Sequence, residues 1–376
     1  MKNLYDNTGK AEISQLVERA SHKRHVVSSI LTLGINMDKS RLLANSATLI
    51  DTCRNELSKH IVGQRQMVDG LLTALIAGGH ILLEGVPGLA KTLAVKSLAE
   101  ITGLDFKRIQ FTPDLLPADL TGTLIWDQAK GSFSVRRGPV FANVILADEI
   151  NRAPAKMQSA LLEAMEERQV TIGETSYRLP EPFFVLATEN PIEHEGTYSL
   201  PEAELDRFLL KLLVTYPSPE EELAIVERSP PFISGETEKR ETLAQVLDKN
   251  ALAMLRGAAE SIHIDNKITE YIVSIVTATR PVNTASGHLK TQPSKTTDGI
   301  YRYVSFGASP RASIALHRCS RILALFSGSE FVSPEDVKNA AYPVLRHRIV
   351  LSYEAEADGL DADAVITRIL NHIPVP

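Results

Sequence analysis

This 376-residue chain has only two cysteines, Cys53 and Cys319, and one tryptophan, Trp126. Two thiols so far apart fit neither a metal-binding spacing nor a disulfide framework, so both read as reduced, as in the cytoplasm. Long hydrophobic runs are scarce. The stretch GLLTALIAGGHILLEG is broken by Gly78, Gly79 and His80 and does not span a bilayer. The opening residues, MKNLYDNTGKAEISQ, lack the apolar segment of a secretory signal. Positive charge is not in excess either. The 40 Lys and Arg face 46 Asp and Glu, giving a net charge of -6 and an isoelectric point near 6.0. Such a balance gives no overall pull toward nucleic acid or an anionic membrane. A cytoplasmic protein without a transmembrane segment is the expectation.

The composition is 44% hydrophobic and 23% charged, ordinary for a folded chain. The length suggests two domains. Residues 1–45 are polar and helix-prone without a strong apolar face, and read as an N-terminal helical extension. Residues 47–60 and 65–78 read as helices on either side of the turn IVGQ. HILLEG then forms a short buried strand, followed by a glycine loop and the helix KTLAVKSLAEIT. VFANVILADE and PFFVLATEN supply two more apolar strands, each ending in polar residues. Strands separated by helices predict an α/β fold with a parallel sheet, which binds ligands at the carboxyl ends of its strands. The tract at 216–241 is rich in proline and charge and reads as a link to a second unit. Beyond it, LAMLRGAAESI, ITEYIVSIVTATR, SPRASIALHRCSRILALFSG and SPEDVKNAAYPVLRHRI show helical spacing. Two of these open with Ser-Pro, a helix-start signal.

The glycine loop runs through Gly85, Val86, Pro87, Gly88, Leu89, Ala90, Lys91, Thr92 and Leu93. Its place between a strand and a helix is the setting of a phosphate-binding loop. There, backbone N–H groups and the helix dipole face the phosphates. Lysine neutralises the outer phosphate oxygens, and the next hydroxyl binds Mg2+. The departure is Ala90, directly before the lysine, where glycine is expected. Its methyl group is tolerable if φ is negative there and costly if φ is positive. Downstream, VILADE ends an apolar strand in Asp148, near the Mg2+ that Thr92 would hold. Glu149 then falls where it could orient or deprotonate water for attack on the γ-phosphate. Asn190, in VLATENP, ends the third strand; an amide there suits water and a phosphate oxygen, or simply a turn before Pro191. Arg207 in LPEAELDRF and Arg311 in SPRAS, each alone an ordinary solvated arginine, are separated by a domain boundary and as a pair could sense the γ-phosphate, one from each side.

In this order, GVPGLAKT, LADEINRAP, ATENP, LPEAELDRF and SPRAS resemble the signature of the MoxR family of AAA+ ATPases, over roughly residues 45–350. Alanine before the lysine is usual in that family. The resemblance implies a three-layer AAA+ core at 46–216 and a linker with a helical lid domain at 217–376. ATP and Mg2+ are the implied cofactors. Lys91 and Thr92 correspond to Walker A, Asp148 and Glu149 to Walker B, and Asn190 to sensor 1. Arg207 resembles an arginine finger acting in the neighbouring subunit. Arg311 resembles sensor 2, which brings the lid onto bound ATP. Val62, Gly63 and Gln64 match the turn that borders the adenine. Residues 111–141 resemble the helix-2 insert. RQVTIGETSYRLPEPFF resembles the hairpin before sensor 1, with strands QVTI and YRLP around Gly-Glu-Thr-Ser. Glu189 stands where glutamine is commoner. A finger acting on a neighbour requires head-to-tail contact, which closes into rings or runs into filaments; the family implies a hexameric ring.

The favoured function is ATP-driven remodelling, assembly or activation of partner proteins, including metal-cofactor insertion. The resemblance implies a partner carrying a von Willebrand factor A domain. A nucleic-acid motor of the same branch is the alternative, with Arg168 and Arg178 near the hairpin and Arg136 and Arg137 near the insert. The hairpin tip GETS and the acidic net charge speak against it. A nucleotide-gated binding module with little turnover is disfavoured by the complete catalytic set. His194 and Glu195 read as a solvated loop rather than metal ligands. Arg346, His347 and Arg348 read as a surface or subunit-contact cluster, and Trp126 as packing within the insert.

Overall fold

The computed structural model describes residues 39–129, 131–191, 197–228, 241–281 and 301–376. His194 and Glu195 lie outside the described residues, as does the extension up to residue 38. The boundary expected at residue 45 falls inside helix α1 (Lys39–Ser58), which buries Leu43, Ile50, Cys53 and Leu57 along one stripe. Helix α2 (Arg65–Ala77) follows and leads into strand β1 (Ile81–Glu84).

From there strands and helices alternate. They run through α3 (Lys91–Thr102), β2 (Phe106–Gln110), α4 (Pro117–Thr121), β3 (Gly122–Asp127), β4 (Ser132–Arg137) and β5 (Val144–Asp148). Then come α5 (Ala155–Glu167), β6 (Gln169–Ile172), β7 (Thr175–Arg178), β8 (Phe184–Glu189), α6 (Glu202–Leu205) and β9 (Leu210–Leu213). The main sheet has the order β2-β5-β8-β1-β9, and every pairing in it is parallel. Successive residues of its central strands face opposite layers. Val144, Leu146, Phe184 and Leu186 join the cluster containing α1, α2 and α3, whereas Ile145, Ala147, Val185 and Ala187 pack with α5. This is the expected three-layer α/β core.

The sequence reading missed β2 and β9, and these are the two edge strands. An edge strand is covered less completely and need not be a continuous apolar run. FKRIQ is exposed at three of its five positions. LKLL is four residues long and carries Lys211 in its middle.

Two antiparallel hairpins project from the core, β3–β4 in the insert and β6–β7 after α5. Leu124 lies against the β6–β7 turn at Gly173. Trp126 packs edge-on against Phe133, with ring centroids 5.1 Å apart, yet both rings remain half exposed or more. The second hairpin is tighter than expected, because Thr175 and Ser176 belong to β7 and only Gly173 and Glu174 make the turn.

The C-terminal unit contains α7 (Pro219–Glu227), α8 (Lys249–Ser261), α9 (Asn266–Ala278), β10 (Val304–Phe306), α10 (Pro310–Phe326), α11 (Pro334–Leu345), β11 (Val350–Leu351), α12 (Tyr353–Ala357) and α13 (Ala362–His372). Its helices start where the sequence offers a cap. Asp248, Asp265, Ser309, Ser333 and Asp361 each accept a backbone N–H at a helix start. Leu316 and Ile322 of α10 belong to the same apolar cluster as Leu71 and Leu75 of α2, so lid and core share buried surface.

Arg346, His347 and Arg348 form the polar part of that seam, and are not a surface cluster. Arg346 makes two bonds of 2.7 Å to the Asp363 carboxylate and one of 2.8 Å to the Lys211 carbonyl. His347 Nε2 donates to the Phe208 carbonyl at 3.0 Å. Arg348, 3% exposed, pairs with Asp206 at 2.7 Å and also donates to the carbonyls of Phe208, Leu209 and Val344. Periodicity could not distinguish this clamp from solvated charges, because its partners are backbone carbonyls, Asp363 from the next long helix and the distant Asp206.

His80 is buried just before β1. Its Nδ1 accepts from the Val185 N–H at 3.1 Å, and its Nε2 donates to the Met165 carbonyl at 3.3 Å. Burial, helped by the Arg168 charge, pushes its pKa down from 6.5 to about 4. Burial also holds His347 well below 6.5. Both stay neutral in the fold, whereas the unfolded chain takes up protons near pH 6.5. Their stabilisation is therefore complete above that pH and declines as pH falls toward 4, by about 3 kcal/mol for His80 alone. Denaturant titrations at pH 7 and pH 5 should show this loss, and His80→Gln should flatten it.

Candidate nucleotide site

The phosphate-type loop leaves the carboxyl end of β1 and enters α3 at Lys91. Gly85 must be glycine here, because a Cβ would lie 2.7 Å from the Val214 carbonyl oxygen. Pro87, Gly88 and Ala90 face solvent, and Thr92 is half-buried. Ala90 adopts φ 55°, the left-handed conformation, so this is the costly case. Lys91 folds back so that its Nζ donates to the Gly85 carbonyl at 2.6 Å. Burial lowers the Lys91 pKa, while Asp148, Glu149 and Glu84 act in the opposite direction. Those three acids therefore stand near the ammonium.

Strand β5 places Asp148 and Glu149 at the same sheet edge. One Asp148 oxygen accepts from the Thr188 hydroxyl at 2.7 Å. The other accepts from Arg108 Nε and Nη2 at 3.0 and 2.6 Å. Glu149 has φ 57°, and its N–H donates to Thr188 Oγ1 at 2.9 Å. Its carboxylate accepts from Gln110 Nε2 at 2.8 Å and pairs with Arg152 at 3.2 Å. Asn190 is buried immediately after β8. Next to it, Glu189 is in register with Glu84 of β1, which pairs with Lys211 at 2.5 Å. Burial raises the Glu189 pKa; Lys211 opposes this, and Glu84 reinforces it.

The loop's Val86, Leu89 and Leu93 are partly buried around this edge, as are Val62, Gly63 and Gln64 before α2. Gln64 has φ 51° and donates through Nε2 to the Thr215 carbonyl at 2.8 Å. A Cβ on Gly63, at φ 63°, would collide with the Glu221 carboxylate of α7. This turn is thus tied to the segment that leads into the lid.

Arg207 and Arg311 lie elsewhere. Arg207 precedes β9, whose first residue Leu210 aligns with Ile81 at the amino end of β1. Its Nε pairs with Glu166 Oε2 at 3.0 Å. Arg311 Nη2 pairs with Glu166 Oε1 at 2.7 Å. Glu166 lies in the last turn of α5, close to the amino end of β1, where Arg168, two residues on, donates to the Gly78 carbonyl at 3.0 Å. Both arginines therefore sit at the amino edge, about 13 Å of strand away from the loop at ~3.3 Å per residue. The resemblance implied Arg311 on bound ATP; here it pairs with Glu166 beside Arg207, away from the loop of its own chain.

The sequence reading missed Arg108, Gln110, Thr188, Glu166 and Asp206. Arg108 and Gln110 were concealed by the unrecognised edge strand. Thr188, two residues before Asn190, was within a stretch already singled out.

A parallel sheet with a phosphate-type loop after one strand, two acids after another and an asparagine after a third defines the core of an AAA+ ATPase. Residues 80–210 match the family model "ATPase family associated with various cellular activities (AAA)", and residues 300–369 match "AAA lid domain". Chaperone MoxR1 of Mycobacterium tuberculosis is 47% identical over 325 residues, covering 85% of this chain and 81% of the relative. Protein MoxR of Paracoccus denitrificans is 32% identical, covering 84% and 93%. A solved structure from Cytophaga hutchinsonii superposes with a TM-score of 0.79 at 46% identity, covering 89% of this chain and 97% of that one. The chain belongs to the MoxR family of AAA+ ATPases.

Ala90 allows a direct test of the loop's backbone. Left-handed φ costs a non-glycine residue about 1–2 kcal/mol, while glycine adds about 0.5–1 kcal/mol of unfolded-state entropy. Ala90→Gly should therefore leave unfolding stability unchanged or raise it by up to about 1.5 kcal/mol. Ala90→Val should lose more than about 1 kcal/mol, because branching at Cβ crowds this backbone further. Denaturant midpoints of the three proteins give the comparison.

Proposed function

We propose that this protein hydrolyses ATP with Mg2+ in a head-to-tail homo-oligomeric ring, hexameric by family analogy. The resulting lid motion would remodel, assemble or activate partner proteins. The observation that carries this reading is the division of the site. Lys91, Thr92, Asp148, Glu149 and Asn190 gather at the carboxyl edge of the sheet, whereas Arg207 and Arg311 stand at the amino edge.

On this reading Lys91 releases the Gly85 carbonyl and takes the outer phosphate oxygens. Glu149 orients or deprotonates the attacking water, and Asn190 holds that water or a γ-phosphate oxygen. The hydroxyl of Thr92 and the carboxylate of Asp148 are hard oxygen donors of the kind Mg2+ prefers. Bound there, the ion would neutralise phosphate charge. Arg207 and Arg311 complete the pocket of the next protomer. Val62, Gly63 and Gln64 border the base, and their ties to Thr215 and Glu221 relay nucleotide loss to the lid.

The relative named Chaperone MoxR1 supports a protein client. A von Willebrand factor A domain protein is the partner that the family suggests, with metal-cofactor insertion one possible task. Among the described residues no helix is long and apolar enough to cross a membrane. A cytoplasmic location fits the two buried free thiols, whose pKa burial raises to about 12.

Glu149→Gln should bind a fluorescent ATP analogue like the wild type while kcat falls ~10²–10⁴-fold. Lys91→Ala should weaken binding itself. Equal, slow phosphate release by wild type and Glu149→Gln would instead indicate a binding module. Specific activity should rise with protein concentration through the assembly range. Arg207→Ala should cut kcat by ~10³-fold or more at full assembly, with nucleotide binding retained.

A further inference from the structure

Two guanidinium groups at one surface repel each other and have flexible stems. Holding them in one arrangement requires something beneath them. Glu166 bridges their tips, but it is itself partly exposed, as are the side chains of Arg207 and Arg311, 29% and 51% accessible. The fixed base lies deeper, at Asp206.

Asp206 Oδ1 accepts from Arg348 Nε at 2.7 Å, and Oδ2 accepts from the Ser309 hydroxyl at 2.8 Å. The Asp206 carbonyl also accepts from Arg348 Nη2 at 3.3 Å. Its side chain and backbone are thus both pinned, and Arg207 is the next residue. Ser309 caps α10 by accepting the Arg311 N–H at 3.1 Å. One carboxylate therefore sets the root of the core's arginine and of the lid's arginine. Arg348 anchors it from a buried position, with additional bonds to three carbonyls.

We propose that Asp206 is a positioning residue. With Arg348 and Ser309 it makes Arg207 and Arg311 a single two-cation unit, presented to the triphosphate of the adjoining protomer. The inference rests on the reading that these arginines act across the subunit contact. A fixed pair meets the γ-phosphate without first ordering two long side chains, so the gain appears in the chemical step and hardly in ATP binding. Each protomer's own binding loop lies at the opposite sheet edge and is left intact.

The test uses the full-length protein at concentrations that saturate assembly. Asp206→Asn keeps the size and removes the charge. It should lower kcat ~10–100-fold while KM for ATP stays within about twofold. Mixed with an equal amount of Glu149→Gln under conditions of subunit exchange, it should regain activity well above the sum of the two separate preparations. The Glu149→Gln protomers then lend intact arginines to Asp206→Asn sites. Ser309→Ala should show the same pattern to a smaller degree, and carries the test alone if Asp206→Asn fails to fold by thermal melt and gel filtration. Unchanged kcat, a loss confined to KM, or no rescue on mixing overturns the proposal. Arg207→Ala mixed with Glu149→Gln separates the two levels. If Arg207→Ala is rescued and Asp206→Asn is not, Asp206 is only structural. If Arg207→Ala is not rescued, action across subunits fails, and this inference with it.

Discussion

All pairings in the main sheet are parallel, so every one of its strands ends at the same edge, and that direction arranges everything else. The loop after β1, the acids ending β5 and the asparagine after β8 arrive together because their strands point the same way. The same rule sends Arg207, just before β9, to the other edge. Arg311 joins it through Glu166. An arginine side chain is shorter than the strand length between these edges. Within one protomer the acids and the arginines stand at opposite edges, and this separation is what the proposed head-to-tail arrangement rests on.

At the carboxyl edge the backbone is held in unusual conformations. Four non-glycine residues among those described have clearly positive φ, and three of them, Gln64, Ala90 and Glu149, are candidate site residues. Such conformations persist only where the surroundings over-determine them. Here the restraints are visible. Gln64 is tied to Thr215, Glu149 to Thr188 and Gln110, and the loop around Ala90 is closed by Lys91 on Gly85. Several of these bonds occupy groups that the proposed chemistry needs. Lys91 and Glu149 are satisfied internally, so nucleotide would exchange one set of bonds for another and would not meet bare charges.

The central strands and the glycine loop were legible in the sequence for the same physical reason. A strand covered on both faces must be a continuous apolar run, as in VILA of β5, and a loop wrapped around phosphate must be built of small residues. The edge strands lack that pressure, so FKRIQ hid β2 and with it the contacts of Arg108 and Gln110. The left-handed φ of Ala90 was posed as a question and not answered, because a single alanine carries no dihedral information. The seam was opaque for a different reason. Arg346, His347 and Arg348 look like solvated charges, and only folding brings Asp363, Asp206 and five backbone carbonyls around them. Charged residues are buried when paired, and the Arg348–Asp206 pairing, across 142 residues, leaves no local trace.

The contacts between lid and core differ in kind at the two edges, which bears on how motion is transmitted. At the amino edge Arg348 is buried against Asp206 and several carbonyls. Removing either member would strand a buried charge or leave carbonyls unsatisfied, a cost of several kcal/mol. Beside the nucleotide edge the links are the apposition of Gly63 with Glu221, the Arg228 bond to the Ser58 carbonyl at 3.0 Å and the Lys59–Glu241 pair at 3.1 Å, all at least partly exposed, where a single hydrogen bond contributes only about 1 kcal/mol. The exposed links beside the nucleotide edge are therefore individually weaker than the buried Arg348–Asp206 clamp at the arginine edge. On the proposed reading, movement of the lid would change the surroundings of the Val62–Gln64 turn more readily than the placement of Arg207 and Arg311, so that the nucleotide state of one protomer could reach the lid without disturbing the two cations offered to its neighbour.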